Sequence, residues 1–185
     1  MANQQTPWDF RDQEELSLSD SYVKDGYIIE DADIKYLEIL KQSIKSAYSE
    51  FLEKHGKKNT SLEEAHKSVL HEESNDLRLY IMQKICNETS FHRSYYNAAK
   101  TIIHALCGNE LAMQKRPGLS INLPQNQNDI LPIHADTWNG VSPFELNIWI
   151  PFVDCSDSMC LYILKRSKYI ERLKSSKGLF KLTSD

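Results

Sequence analysis

The chain has 185 residues, of which 41% are hydrophobic and 26% are charged, so it can form one domain with a sizeable core. Its formal net charge of −4 argues against a general nucleic-acid-binding protein. No apolar run approaches the length of a membrane span and the N-terminal residues lack a secretory signal pattern, so we expect a cytoplasmic protein.

The first half of the chain is predicted to be mainly helical. Residues 1–18 are polar and acidic and predict an N-terminal arm, which leaves 19–185 as a single domain. After a first strand at 27–29, apolar residues at three- and four-residue steps predict a helix over 31–55. Thr60 and Glu63 resemble a capping box. Further helices are predicted from Thr60 to about Leu70, over 75–86, and from Thr89 or Ser90 to Cys107.

The second half of the chain changes to short apolar and β-branched runs, which are typical of strands. Strands are predicted at 111–114, 119–123, 130–133, 146–153 and 159–164. A basic helix over 167–175 and a short strand or frayed tail at 179–182 follow. Helices followed by strands predict an α+β fold with a helical layer packed on a sheet.

His134 and Asp136 are the candidate catalytic and metal-binding residues. They lie two positions apart in a predicted strand, where side chains i and i+2 point to the same face. An imidazole and a carboxylate on one face supply two thirds of the facial triad that binds non-haem Fe(II). The alternative interpretation is a surface histidine beside a solvated aspartate.

The surrounding sequence resembles a known family. The segment 131–154 contains the runs His-Ala-Asp-Thr-Trp and Trp-Ile-Pro, and it is similar to the core of the phytanoyl-CoA dioxygenase-like superfamily. Within that superfamily, it is most similar to the 2-oxoglutarate/Fe(II) oxygenases of bacterial surface-carbohydrate gene clusters. The run Asp-Gly-Tyr-Ile-Ile-Glu at 25–30 also resembles the opening strand of the superfamily.

The resemblance implies a fold, two cofactors and a substrate class. The fold is a double-stranded β-helix, a jelly-roll or cupin-like core against which the N-terminal helices pack. The cofactors are Fe(II) and 2-oxoglutarate, and the substrate is a small carbohydrate or an intermediate of glycan biosynthesis. Since relatives that halogenate lack the metal-binding carboxylate, Asp136 favours hydroxylation.

The resemblance also assigns individual residues. His134 and Asp136 match the first two metal ligands, and Trp149 matches an aromatic residue that lines the 2-oxoglutarate pocket. Asn122, on the preceding strand, matches the same pocket. Plain core packing is the alternative for Trp149, and a hydrogen bond at the strand end is the alternative for Asn122. Trp138 would line the substrate side if the strand stayed regular.

The sequence departs from the family pattern after Asp136. The family takes its third ligand from a late-strand histidine, followed by an arginine that pairs with 2-oxoglutarate, but no histidine follows Asp136 here. Arg166 and Arg172 come before the expected position. The chain therefore resembles a member with a jelly roll that is incomplete at its C-terminus. We expect weak iron binding, poor turnover and exposed sheet edges that allow a homo-oligomer.

Two other functions fit these residues. One is a truncated, non-catalytic jelly-roll module that dimerises or binds a ligand. The other is a metal-independent, cupin-like sugar epimerase or isomerase in which His134 acts as base and Asp136 orients it. The other histidines are expected at the surface or in the core rather than on a metal, and the four cysteines, which lack CxxC spacing, are expected to be buried reduced thiols.

Overall fold

A computed structural model describes residues 10–126 and 134–175. All regular secondary structure in these ranges is helical. The α-helices are α1 (Gln13–Asp25), α2 (Ile34–Lys54), α3 (Ser74–Ile85), α4 (Thr89–Ala98), α5 (Lys100–Cys107) and α6 (Arg166–Ser175). Short 3₁₀ helices lie at Ala65–Lys67, His71–Glu73, Asp136–Asn139 and Asp157–Met159.

The predicted α+β fold, with its double-stranded β-helix or jelly roll, is wrong, because no strand forms among the described residues. The segments 27–29, 111–114, 119–123, 146–153 and 159–164 have no strand assignment. The predicted strands at 130–133 and 179–182 lie outside the described residues.

Helix side chains bind backbone carbonyl groups in and beside the predicted strands. The Nε2 atom of His92 lies 2.8 Å from the Lys115 carbonyl oxygen, and the Tyr95 hydroxyl donates to the Ile148 carbonyl oxygen at 2.6 Å. β-Branched and aromatic residues suit any half-buried extended surface, whether it faces a strand or a helix. The apolar pattern agrees with partial burial at 119–123 and 146–153, but 111–114 and 159–164 are exposed, and the pattern did not identify the packing partner.

The described residues form two compact units. One contains α1, α5 and α6 and comprises residues 10–31, 99–112 and 163–175. The other contains α2, α3 and α4 together with the extended segments, and comprises residues 32–98, 113–126 and 134–162. The division into an arm at 1–18 and a domain over 19–185 stays a prediction, although α1 already begins within the predicted arm at Gln13.

Helix α2 organises the unit that contains the candidate site. Asp33 caps its first turn by accepting a hydrogen bond from the Lys35 amide at 3.0 Å. The predicted helix over 31–55 is confirmed with ends at Ile34 and Lys54. Its buried face packs against both α3 and α4. The apolar core of this unit consists of Leu40, Ile44, Ala47, Tyr48, Phe51, Leu52, Val69, Leu77, Ile81, Ile85, Phe91, Ala98 and Leu123.

The helix predicted from Thr60 to about Leu70 is wrong apart from one 3₁₀ turn, Ala65–Lys67. Thr60 does not act as a helix cap, because its hydroxyl lies 2.7 Å from the Tyr48 hydroxyl and 3.2 Å from that of Ser68. The helix predicted to reach Cys107 is divided into α4 and α5 at Ala99, whose φ of −128° departs from helical geometry.

The unit of α1, α5 and α6 is built around α1. Asp12 and Glu15 form a capping box at its start, with the Glu15 amide donating to Asp12 Oδ1 at 2.8 Å. Gly26 ends the helix at a φ of 85°, a conformation that glycine adopts readily. The Arg166 guanidinium in α6 donates to the Val23 carbonyl oxygen at 3.2 Å.

The cysteines are unpaired, and their predicted burial is wrong for two of them. Cys107 and Cys160 are exposed, whereas Cys86 and Cys155 are half-buried. Burial raises the pKa of the Cys155 thiol, which favours its neutral form. Among the described residues, no helix is long and apolar enough to cross a membrane.

Replacing Leu52 with alanine is expected to lower the free energy of unfolding by about 2–5 kcal/mol, because the side chain is fully buried (0% exposed) and its removal leaves a cavity. The matched control is Leu79→Ala on α3, where half of the side chain is exposed. That change is expected to cost about 0.5 kcal/mol or less. Denaturant unfolding followed by circular dichroism measures both, and equal losses would contradict the assignment of the core.

Candidate functional site

His134 and Asp136 converge as predicted, although the chain around them is not a strand. The Nε2 atom of His134 lies 3.5 Å from Asp136 Oδ1. Ala135, between them, has φ −118° and ψ 136°, which is extended backbone. Because an extended residue sends its two neighbours to the same side, the pair meets even though Asp136 begins a 3₁₀ helix.

The condition on which the facing of Trp138 depended is not met, because the chain turns at Asp136 rather than continuing as a strand. The Trp138 amide donates to the Ala135 carbonyl oxygen at 2.8 Å, and Gly140 closes the turn at a φ of 85°. The alternation of side chains between two faces, which is typical of an extended chain, therefore ends at Asp136. Trp138 is half-exposed on this turn.

The second part of the site comes from the extended segment 145–153. Leu146, Ile148 and Ile150 are half-buried, whereas the intervening Asn147 and Trp149 are exposed. This alternation is that of a one-sided extended segment packed on a core. Ile150 and Phe152 pack against the apolar core, so Asn147 and Trp149 lie on the face that points away from it.

Asn147 brings this segment to the His134–Asp136 pair. Its side-chain amide donates to Asp136 Oδ2, the carboxylate oxygen other than the one nearest His134. Sequence reasoning missed Asn147. The sequence signal that could have found it is a polar residue between apolar Leu146 and Ile148, which is typical of the outer face of a one-sided extended segment.

Trp149 and Asn122 were predicted to line a 2-oxoglutarate pocket. The Trp149 side chain is 52% exposed, so simple core packing does not explain it. Asn122 is also exposed, between half-buried Ile121 and buried Leu123. Their roles at a cofactor stay predictions.

The structure offers two of the three metal ligands that the resemblance implies. An imidazole nitrogen and a carboxylate oxygen suit divalent iron, and both side chains are accessible, with 38% and 46% of their surface exposed. Within 10–126 and 134–175, however, no group of three or more histidine, cysteine, aspartate or glutamate side chains could hold a metal ion. The residues therefore fit iron only in part.

Two other histidines take part in hydrogen bonds that position the chain. His71 Nε2 lies 3.0 Å from the Pro124 carbonyl oxygen, and His92 Nε2 contacts the Lys115 carbonyl oxygen. These contacts tie the segment before the site to the helical layer. That neither histidine is a metal ligand stays a prediction.

Comparison with protein-family models, with curated proteins and with solved structures found no match to this chain. The resemblance to the phytanoyl-CoA dioxygenase-like superfamily therefore stays a prediction.

Tyr95 is expected to stabilise the segment that carries Asn147, because its hydroxyl binds the Ile148 carbonyl oxygen at 2.6 Å. Tyr95→Phe should lower the free energy of unfolding by about 0.5–1.5 kcal/mol. Burial raises the Tyr95 pKa above its usual value of 10.0. This contribution should therefore be present below about pH 10 and be lost as the pH rises through the raised pKa of the folded state.

Denaturant unfolding at neutral and alkaline pH tests this expectation. The control is Tyr162→Phe, since the Tyr162 side chain is 78% exposed and its hydroxyl bond to the Asp157 carbonyl oxygen is at the surface. A Tyr95→Phe protein with unchanged stability at neutral pH, or with the same alkaline loss as the unsubstituted protein, would contradict the role of Tyr95.

Proposed function

We propose that this chain is a member of the non-haem Fe(II)/2-oxoglutarate-dependent oxygenases, of the hydroxylating type, and that His134 and Asp136 bind the metal. The observation that carries the proposal is the convergence of the two side chains, with Nε2 and Oδ1 separated by 3.5 Å. The jelly roll expected for that group is not formed in the described residues. The proposal therefore depends on the pair and on the sequence around it.

The separation of 3.5 Å is informative because it is long for a hydrogen bond. N–H···O bonds in proteins are usually about 2.7–3.2 Å long. Two ligand atoms about 2.1 Å from one cation lie about 3.0–3.4 Å apart at octahedral or tetrahedral angles. The observed separation is slightly longer than this range, and it is compatible both with two ligands of one ion and with an exposed histidine–aspartate ion pair.

The side chain at position 136 fits the hydroxylating type. A carboxylate at Asp136 occupies the position that halogenating relatives leave open. Iron and 2-oxoglutarate, when bound, would supply the oxidative chemistry. The contribution of this chain would be to hold the metal through one imidazole and one carboxylate. Trp149 is exposed and lies two positions after Asn147 on the extended segment. A small carbohydrate-type substrate follows only from the resemblance.

A non-catalytic binding or dimerisation module is the second candidate. It is favoured by the large apolar side chains that are exposed near the site and after it, among them Trp138, Phe144, Met159, Leu161 and Tyr162. Monomeric proteins rarely expose contiguous apolar patches of more than a few hundred Å², and larger ones mark interaction surfaces. This candidate shares the His134–Asp136 pair but requires no turnover.

Metal binding is the direct test of the proposed pair. Under anaerobic conditions, Fe(II) should bind saturably and weakly, since two protein ligands replace the usual three. Asp136→Ala and His134→Ala should each remove this binding, as measured by calorimetric titration. Asp154→Ala serves as the control, because it removes one exposed carboxylate from the same unit without touching the pair. Equal affinity in the Asp136 and Asp154 variants would refute the proposal.

Turnover separates the two candidate functions. With Fe(II), 2-oxoglutarate and O₂, we expect the isolated chain to release succinate only slowly, because the described residues offer two metal ligands instead of three. The slow release should disappear in Asp136→Ala. Metal binding with no succinate release would favour the non-catalytic module, whereas rapid release would contradict the expected weak activity.

A further inference from the structure

Both ring nitrogens of His92 are directed at backbone carbonyl oxygens. Nδ1 lies 3.0 Å from the Glu88 carbonyl oxygen, and Nε2 lies 2.8 Å from the Lys115 carbonyl oxygen. Both distances lie within the usual range for N–H···O hydrogen bonds, about 2.7–3.2 Å. One half-buried side chain therefore joins the start of α4 to the segment 113–126 of the same unit.

These two contacts require two N–H donors, because a carbonyl oxygen can only accept a hydrogen bond. A neutral imidazole carries one N–H and one lone pair, whereas the protonated ring carries an N–H on each nitrogen. Turning the neutral ring over gives no alternative, since that brings carbon atoms to both positions. The protonated ring of His92 is therefore the form that satisfies both carbonyls.

We propose that His92 is a pH-sensitive latch, which attaches the stretch 113–118 to α4 while its ring is protonated and releases that stretch when the ring loses a proton. The latch involves neither His134 nor Asp136, so it stands or falls separately from the proposed function.

The contact to Lys115 is the one that yields when a proton is lost. The Glu88 carbonyl is fixed by the start of α4, since it also accepts the His92 backbone amide at 3.4 Å. If Nδ1 keeps the proton, the lone pair of Nε2 faces the Lys115 oxygen and repels it. If Nε2 keeps the proton, the lone pair of Nδ1 faces the Glu88 oxygen. Rotation of the side chain relieves that repulsion, but it carries Nε2 away from Lys115.

The stretch 113–118 depends on this contact. Within the described part of the chain, the bond to Lys115 is the single hydrogen bond that these residues make. Residues 113–116 are all exposed, so apolar packing does not hold them in place. The following Leu119, Ile121 and Leu123 do pack on or in the apolar core. Release is therefore expected to be local to 113–118.

His71 provides a natural contrast within the same segment. Its Nε2 atom lies 3.0 Å from the Pro124 carbonyl oxygen, and this is the one carbonyl contact of its ring among the described residues. A neutral imidazole with its proton on Nε2 can make this bond. The attachment at Pro124 is therefore expected to survive the pH change that opens the contact at Lys115.

The charged groups beside the ring have opposing effects on its protonation. Glu88 precedes it and favours the charged ring, whereas Arg93 on α4 and the exposed Lys115 and Arg116 on the segment oppose it. The group that α2 contributes here is uncharged, since the Ser43 hydroxyl donates to the Glu88 carboxylate at 2.8 Å. Histidine changes charge between about pH 5 and pH 8, so that interval is where the latch is tested.

Nuclear magnetic resonance of the full chain tests the latch across this interval. Backbone order parameters of 113–118, from ¹³C relaxation, should fall from about 0.85 to below about 0.6 as the pH rises. The order parameters of 123–126 and of α2 should stay unchanged. The ¹³C resonance of the Lys115 carbonyl should shift with the same midpoint as the ring ¹⁵N resonances of His92, which report the loss of the ring proton.

A matched pair of substitutions assigns the effect to one ring. His92→Phe keeps a planar ring without a donor, so 113–118 should have low order parameters at both ends of the interval. His71→Phe, the control, should leave the pH dependence of 113–118 intact, although it removes the contact at Pro124.

Several results would overturn the latch. Order parameters of 113–118 that stay constant from about pH 5 to about pH 8 would do so, as would a pH dependence that persists in His92→Phe. Loosening that α2 shares would indicate general unfolding instead of local release. If His92→Phe does not fold, the unsubstituted chain still decides, because different midpoints for the Lys115 carbonyl and the His92 ring contradict the coupling.

Discussion

The buried face of α2 is the constraint on which the site-bearing unit depends. It packs against α3 and α4, and the core around it also includes Leu123 from the extended half of the chain. The partly buried Ile150 and Phe152 pack against the same core. Burying one large apolar side chain stabilises the folded state by about 1.5–3 kcal/mol. The summed burial of the core side chains therefore outweighs any single polar contact in the unit. The extended segments therefore take their alternation from a helical layer.

The helices could be predicted from sequence because their signals are local. The spacing of Leu40, Ile44 and Leu52 identifies a helical stripe without knowledge of its partner. Asp33 marks the start of α2 by its own side chain. Whether an extended segment pairs as a strand could not be predicted in the same way, since a strand forms only by hydrogen bonding to a neighbouring strand. Ile148 and Ile150 alternate in burial as strand residues do, yet their partner is α-helical.

Thr60 shows a similar limit at the scale of one hydroxyl group. The sequence around it fits a capping box, but the hydroxyl contacts Tyr48 from α2 and Ser68 instead. A cap contributes about 0.5–2 kcal/mol, which competing hydrogen bonds from another element can match. A capping box does form at Asp12 and Glu15 of α1, within the range predicted to be an arm.

The His134–Asp136 part of the candidate site could be predicted from sequence because its geometry is local. The convergence of His134 and Asp136 requires only that Ala135 be extended, which is a property of one residue. The contribution of Asn147 depends on two segments meeting, and that meeting is set by the core under Ile148 and Ile150. Residues 134–136 thus supply the imidazole and the carboxylate, whereas packing against the helical layer brings the Asn147 amide to that carboxylate.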